Sequence, residues 1–195
     1  ADSNLVLFSI PGPFVKREAK KALSAGKNVM IFSDNVTIDE ELELKQIAKQ
    51  NGLIVMGPDC GTSIINGKGI AFANSMPIGK IGIIGASGTG IQQVSCILAN
   101  KGYGVKHAIG LGGRDLSKQI GGISMLTAID AMEKDIDIEI VILISKPPFP
   151  EVEKKIFDRL KNYKKKIVVN FLKGDETECK KRRIPFASTL ENAAN

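Results

Sequence analysis

The sequence predicts an α/β fold built on parallel sheets, and three observations carry that prediction. Short apolar runs alternate with helix-period segments along most of the chain. The runs are rich in Ile and Val on both alternating faces, as strands buried between two layers of helices must be. Glycines and prolines punctuate the junctions between them.

In the first unit, Leu5 to Ile10 reads as a strand, Pro13 to Ala25 as a helix, Asn28 to Phe32 as a strand, Ile38 to Asn51 as a helix and Leu53 to Met56 as a strand. Gly26 and Gly52 stand where those helices must stop, since glycine takes the left-handed terminal conformation without strain. Gly57-Pro58-Asp59-Cys60-Gly61 then breaks regular structure, and Ser63 to Ala73, centred on Asn66-Gly67, predicts a hairpin. Pro77-Ile78-Gly79 is the natural boundary, giving one domain over 1–77 and another over 78–195.

The second unit alternates strand Ile81 to Ile84, helix Gly90 to Lys101, strand Val105 to Gly110, helix Ile123 to Glu133, strand Ile138 to Ser145, helix Glu151 to Asn162 and strand Ile167 to Phe171. The first unit has only three strands and opens on one of them, so a completing strand and helix are expected upstream in a longer natural chain.

Composition narrows the function classes. With 43% hydrophobic residues and a mean hydropathy of +0.02, the chain is ordinary globular material rather than disordered or fibrous. No apolar run approaches bilayer length and the first residues carry no basic leader, so a soluble cytoplasmic protein is expected, without membrane contact. Three cysteines with no C-x-x-C pair and one histidine fit neither a disulfide framework nor a metal site. The net charge of +6 is local: residues 146–183 hold 13 basic and 6 acidic residues, leaving 14 basic against 15 acidic elsewhere. Basic residues on and after an outer helix form a solvated face, and without interleaved aromatics they do not predict nucleic-acid binding.

The chemistry gathers where strands end. Gly82-Ile83-Ile84-Gly85-Ala86-Ser87-Gly88-Thr89-Gly90 runs an apolar strand straight into a Gly/Ser/Thr turn that opens a helix. Unpartnered N–H groups there, the helix dipole and the Ser87 and Thr89 hydroxyls offer a seat for phosphate or acyl phosphate at Ser87, Gly88, Thr89 and Gly90. The alternative is a plain tight strand-to-helix turn. Ligands in parallel sheets collect at the strands' carboxyl ends. In the second unit those ends also carry Gly110 to Asp115, Ser145 to Pro148 and Lys173 to Asp175, which places Gly112 and Gly113 beside the seat.

Arg114 is positioned either for a bidentate contact with phosphate or carboxylate or for a salt bridge across an interface with an acid such as Asp115. Lys146 is either a second cation at the seat or a solvent-exposed lysine before a Pro-Pro turn. Cys60 lies in a glycine-rich turn, but no histidine base is near and Asp59 would raise its pKa, against a nucleophilic role. Cys96 reads as core packing. His107 falls about three residues short of its strand's end, on the order of 10 Å below the rim, which suits a hydrogen-bonded histidine lining the sheet.

Together these motifs resemble the FdrA family, which is similar to the succinyl-CoA synthetase α subunit and the NDP-forming acyl-CoA synthetases. The residues that carry the resemblance are Phe32 to Val36, Met56 to Thr62, Ala71 to Asn74, Ile83 to Gln92, His107 to Leu116 and Ser145 to Pro148. It implies the later part of a Rossmann-like CoA-binding-type domain followed by a flavodoxin-like, doubly wound domain. It also implies CoA at the segment holding Pro11 and Pro13 and at the turn Ser33-Asp34-Asn35, with the reactive end near Asp59 and Cys60. The helix opened by Ser87 to Thr89 corresponds to the one that holds a phosphohistidine's phosphate. This chain departs from that pattern: Lys146 falls where a glutamate would orient the histidine, and Lys173 to Arg183 contains no histidine. The expected function is an acyl-CoA synthetase-like protein that binds CoA and a phosphoryl group, works with a partner subunit or as a homo-oligomer, and relies on electrostatic stabilisation by Arg114 and Lys146. A subunit of an oxamate carbamoyltransferase complex in allantoin degradation, needing carbamoyl phosphate, is the alternative implied. A non-catalytic scaffold is the third.

Overall fold

The computed structural model describes residues 2–172, 174 and 176–195. Its first unit runs β1 (Leu5–Phe8), α1 (Gly12–Ser24), β2 (Asn28–Ile31), α2 (Ile38–Gln50) and β3 (Val55–Met56), with the strands in a parallel sheet ordered β1-β2-β3. Proline opens α1 in its first turn, where no intrahelical N–H is needed. A capping box starts α2: the Thr37 hydroxyl accepts from the Glu40 N–H while the Glu40 carboxylate accepts from the Thr37 N–H. Val15, Ala19 and Leu23 of α1 and Leu44 and Ala48 of α2 bury against Val29, Ile31 and Val55.

The hairpin β4 (Thr62–Ile65) and β5 (Lys68–Ala71) turns through Asn66 and Gly67, both left-handed. Read in the sequence as the tail of the first unit, it joins the second sheet, where β4 runs antiparallel to β7 and pairs Ile64 with Ala108. That unit continues with β6 (Ile81–Gly85), α3 (Gly88–Asn100), β7 (Val105–Gly110), α4 (Ile123–Lys134), β8 (Ile140–Ser145), α5 (Pro150–Leu160), β9 (Lys166–Phe171), α6 (Thr177–Arg182) and α7 (Leu190–Ala193). The sheet order is β5-β4-β7-β6-β8-β9, with β6 to β9 parallel.

Helices cover both faces, which is why every residue of β6 is buried. Ile91, Val94 and Leu98 of α3 pack with Ala193 of α7 on one face. Met125 and Ile129 of α4 and Ile156 and Phe157 of α5 cover the other, in a core that extends through Met30, Met56 and Cys60 into the first unit. The first of its parallel strands, β6, lies between β7 and β8, so the connections leave in opposite directions and open a crevice at its carboxyl end.

Candidate functional site

The ends of β1, β2 and β3 converge on a cleft of about 550 Å³ lined by Ser9, Ile10, Pro11, Phe32, Ser33, Asp34, Asp59, Gly61 and Phe72. Ser33 ties its floor together, its Oγ accepting from the Ile10 N–H at 2.9 Å. Gly12 lets α1 approach the next turn: a Cβ there would lie 2.3 Å from the Asn35 carbonyl oxygen. Three non-glycine residues around this cleft, Asn35, Asp59 and Ala71, take left-handed backbone conformations with φ of 53°, 57° and 57°. Such conformations concentrate where a surface is shaped for a ligand.

Of the residues the sequence nominated for a cofactor, Pro11, Ser33, Asp34 and Asp59 line the cleft. Pro13 sits inside α1's first turn, and Asn35 holds Asp34, its Nδ2 donating to Oδ1 at 2.7 Å. Phe32 and Phe72 were not nominated; they meet edge-to-face with centroids 5.3 Å apart. Both lie inside the motifs that carried the family resemblance, which was the available signal.

At the second sheet, Ser87 is the N-cap of α3, and its Oγ accepts from the Gly90 N–H at 3.1 Å. That hydroxyl is therefore committed to the helix, and the Thr89 hydroxyl lies 3.4 Å from it on the exposed side. Gly88 and Gly112 line a narrow crevice of about 20 Å³ together with Asp59, Cys60, Gly61, Thr62, Gly85, Ala86, Gly110 and Leu111, room for about one water. A Cβ at left-handed Gly112 would lie 2.3 Å from the Pro58 carbonyl oxygen, so the first unit's turn rests directly on this loop. The crevice and the larger cleft share Asp59 and Gly61. Gly113 is exposed beside it, and Lys146 is exposed at the end of β8. Lys173 and Asp175, expected on the same rim, lie outside the described residues.

Arg114 is tied across the two units: its Nε donates to Glu41 Oε2 at 2.9 Å and its guanidinium reaches the Val36 carbonyl at 2.8 Å, so the acid it pairs with is Glu41 rather than Asp115. Asp115 belongs to Lys45, whose Nζ lies 2.8 Å from Asp115 Oδ1 and 2.8 Å from Glu41 Oε1 and donates to the Leu111 carbonyl at 3.1 Å. The Glu41 contact is an ion pair without hydrogen-bond alignment, which leaves Oε1 formally unsatisfied. Asp115 also accepts from the Ser124 and Met125 N–H groups, capping α4. Lys45, Glu41 and Asp115 are all at most 1% exposed. This ionic cluster between α2 and the loop after β7 escaped sequence reasoning; its only local trace was Glu41 and Lys45 at helical i,i+4 spacing.

His107 is held on both sides: Nδ1 accepts from the Asn66 N–H at 3.1 Å and Nε2 lies 3.1 Å from Asp135 Oδ2. Burial holds its pKa below the ordinary value, against the pull of Asp135. The Cys60 thiol is buried, and that burial pushes its pKa up. Cys96, expected in the core, is exposed, because α3 turns that position away from the sheet. Among the described residues no group of His, Cys, Asp and Glu is placed to hold a metal ion, and no helix is long and apolar enough to cross a membrane. Much of the C-terminal basic stretch is paired, including Arg159 with Asp130 and Glu133 and Arg182 with Asp158 and Glu178.

The chain is 49% identical over 193 residues to the Escherichia coli K12 protein YahF, covering 99% of this chain and 38% of that protein. It is 28% identical over 148 residues to a succinate–CoA ligase α subunit of Archaeoglobus fulgidus, covering 74% of this chain and 50% of that one. It therefore spans half or less of the length of these relatives. In three dimensions it superposes on the dinucleotide-forming acetyl-coenzyme A synthetase 1 of Ca. Korarchaeum cryptofilum with a TM-score of 0.76 at 17% identity, covering 98% of this chain and 46% of that one. That likeness establishes the shared fold. The CoA binding domain profile matches residues 77–174, half of the chain, and by that match the chain belongs to the CoA binding domain family.

Proposed function

We propose that this chain is the CoA- and phosphate-handling part of an FdrA-type acyl-CoA synthetase-like protein, dividing near residue 77 into a Rossmann-like portion and a flavodoxin-like portion. CoA occupies the cleft on β1 to β3, and a phosphoryl group sits at the N-terminus of α3. The observation that carries this is the junction: cleft and crevice share Asp59 and Gly61, so a thiol reaching the end of the cleft comes next to the seat. The crevice is too small for a phosphoryl group, which rests at its mouth against the first N–H groups of α3, the Thr89 hydroxyl and the Lys146 charge. Arg114 contributes by fixing the loop through Glu41. His107 is held by Asn66 and Asp135, so it is not the group that carries the phosphoryl in this reading. Because a relative of this chain is named as a ligase α subunit, we include a partner subunit in the proposal, and we keep the cytoplasmic location expected from the sequence as part of it.

One observation favours a second reading. The family match covers 77–174, the second unit, and not the turns of the first. On that reading the nucleotide lies along the rim of β6 to β9, and the cleft serves another ligand. Calorimetric titration of the full-length protein with CoA separates the two. Ser9→Tyr, which fills the cleft from an exposed position, abolishes binding on the first reading and leaves it intact on the second. Thr89→Val has the opposite pattern. Absence of CoA binding in the unaltered protein contradicts both and favours the carbamoyl phosphate-using transferase subunit or the scaffold.

A further inference from the structure

Building on the CoA reading of the cleft, we infer that the corner formed by Phe32 and Phe72 is an acyl-selecting pocket that accepts an apolar acyl group and rejects one bearing a carboxylate. Phe72 is 68% exposed, an uncommon position for a large ring held in a defined place. It is held from three directions. Its N–H donates to the Gly61 carbonyl at 2.9 Å. Its own carbonyl accepts from Gln92 Nε2 at 2.6 Å. Its ring meets Phe32 edge-to-face. The residue before it, Ala71, is held in the left-handed region, a conformation that costs a non-glycine residue energy and persists only where the surroundings impose it. A Cβ at Gly61 would lie 3.6 Å from the Phe72 ring, so the ring overhangs the point where the two cavities meet. That is where the acyl carbon of a thioester would sit. Gln92 lies one turn into α3, so the same contact ties the ring to the helix that forms the phosphoryl seat.

The charge of the cleft points the same way. Its described lining contains two carboxylates, Asp34 and Asp59, and no lysine or arginine. At the corner itself, where Asp59 and the two phenyl rings lie, a carboxylate on the acyl group would meet like charge, whereas an apolar or aromatic acyl group finds ring faces and edges. The corner therefore suits a different acyl class from the dicarboxylate in the name of the Archaeoglobus relative.

The test is calorimetric titration of the full-length protein with three probes, CoA, phenylacetyl-CoA and succinyl-CoA. The expected result is phenylacetyl-CoA binding about tenfold tighter than CoA, and succinyl-CoA weaker than CoA. Phe72→Ala, an exposed change that spares the core, removes the phenylacetyl advantage, so that phenylacetyl-CoA and CoA bind that variant alike. Succinyl-CoA binding as tightly as phenylacetyl-CoA overturns the inference alone. So does a phenylacetyl preference that survives in Phe72→Ala. Failure of all three probes to bind overturns the CoA reading and this inference together, a pattern the other outcomes do not produce.

Discussion

At the scale of single residues, the most consequential side chain is Lys45. Its ammonium is fully buried between Glu41 and Asp115, one acid from each unit. A buried ion pair is weak evidence of net stabilisation, but removing one partner strands the other charge in a medium that solvates it poorly. Lys45→Met therefore lowers unfolding free energy by about 3–5 kcal/mol, read by urea denaturation. The double change Lys45→Met with Asp115→Asn, which removes both charges, recovers part of the loss. Arg114 shows why residue roles were only half legible. Its place after two glycines was visible, but the choice between a ligand and an acid depends on which carboxylate the fold brings to it, and Glu41 lies 73 residues away.

His107 supplies the pH dependence at this scale. Burial depresses its pKa from the ordinary value near 6.5, so the folded state binds this proton less readily than the unfolded chain. Stability from keeping the ring neutral is full above that ordinary value and is lost as pH falls below it toward the depressed folded pKa. Urea midpoints compared at about pH 5 and about pH 7.5 should differ in the unaltered protein and differ less in His107→Gln. An unchanged difference in the variant would assign the slope to other groups.

At the scale of elements, α3 is the part on which the site depends. The sequence placed its start at Gly90, whereas the helix begins at Gly88, because Ser87 supplies the cap and lets Gly88 and Thr89 enter the first turn. Ser87→Ala costs about 1 kcal/mol of stability, read by urea denaturation, and loosens the N–H groups proposed to hold phosphate. The main helices and strands were legible because periodicity and capping are local signals. The two short helices α6 and α7 were not, being too brief to show a period. The hairpin was legible through Asn66-Gly67, but its sheet was not. Strand β4 attaches where Ile64 is buried against β7, a pairing with Ala108 that no local pattern encodes.

At the scale of the whole molecule, the two units are joined by a core running from Met30 and Met56 to Met125 and Ile129 and by the ionic cluster above it. This union presses the turn at Pro58 and Asp59 against Gly112, and so brings a cleft on one sheet to the strand ends of the other. The strand-end rule singled out Gly88 in the second unit and the family resemblance singled out Ser33, Asp34 and Asp59 in the first, and each lines one of the two cavities. Neither could place Phe72 over their junction, because that depends on the hairpin belonging to the second sheet while its last residue reaches back to the first. If the thiol end of CoA meets the phosphoryl seat at Asp59 and Gly61, a crystal structure of the full-length protein with CoA and inorganic phosphate will show the CoA sulfur beside those two residues under the Phe72 ring, with phosphate at the start of α3. CoA bound along the rim of the second sheet, with the cleft on β1 to β3 free of it, would rule that meeting out.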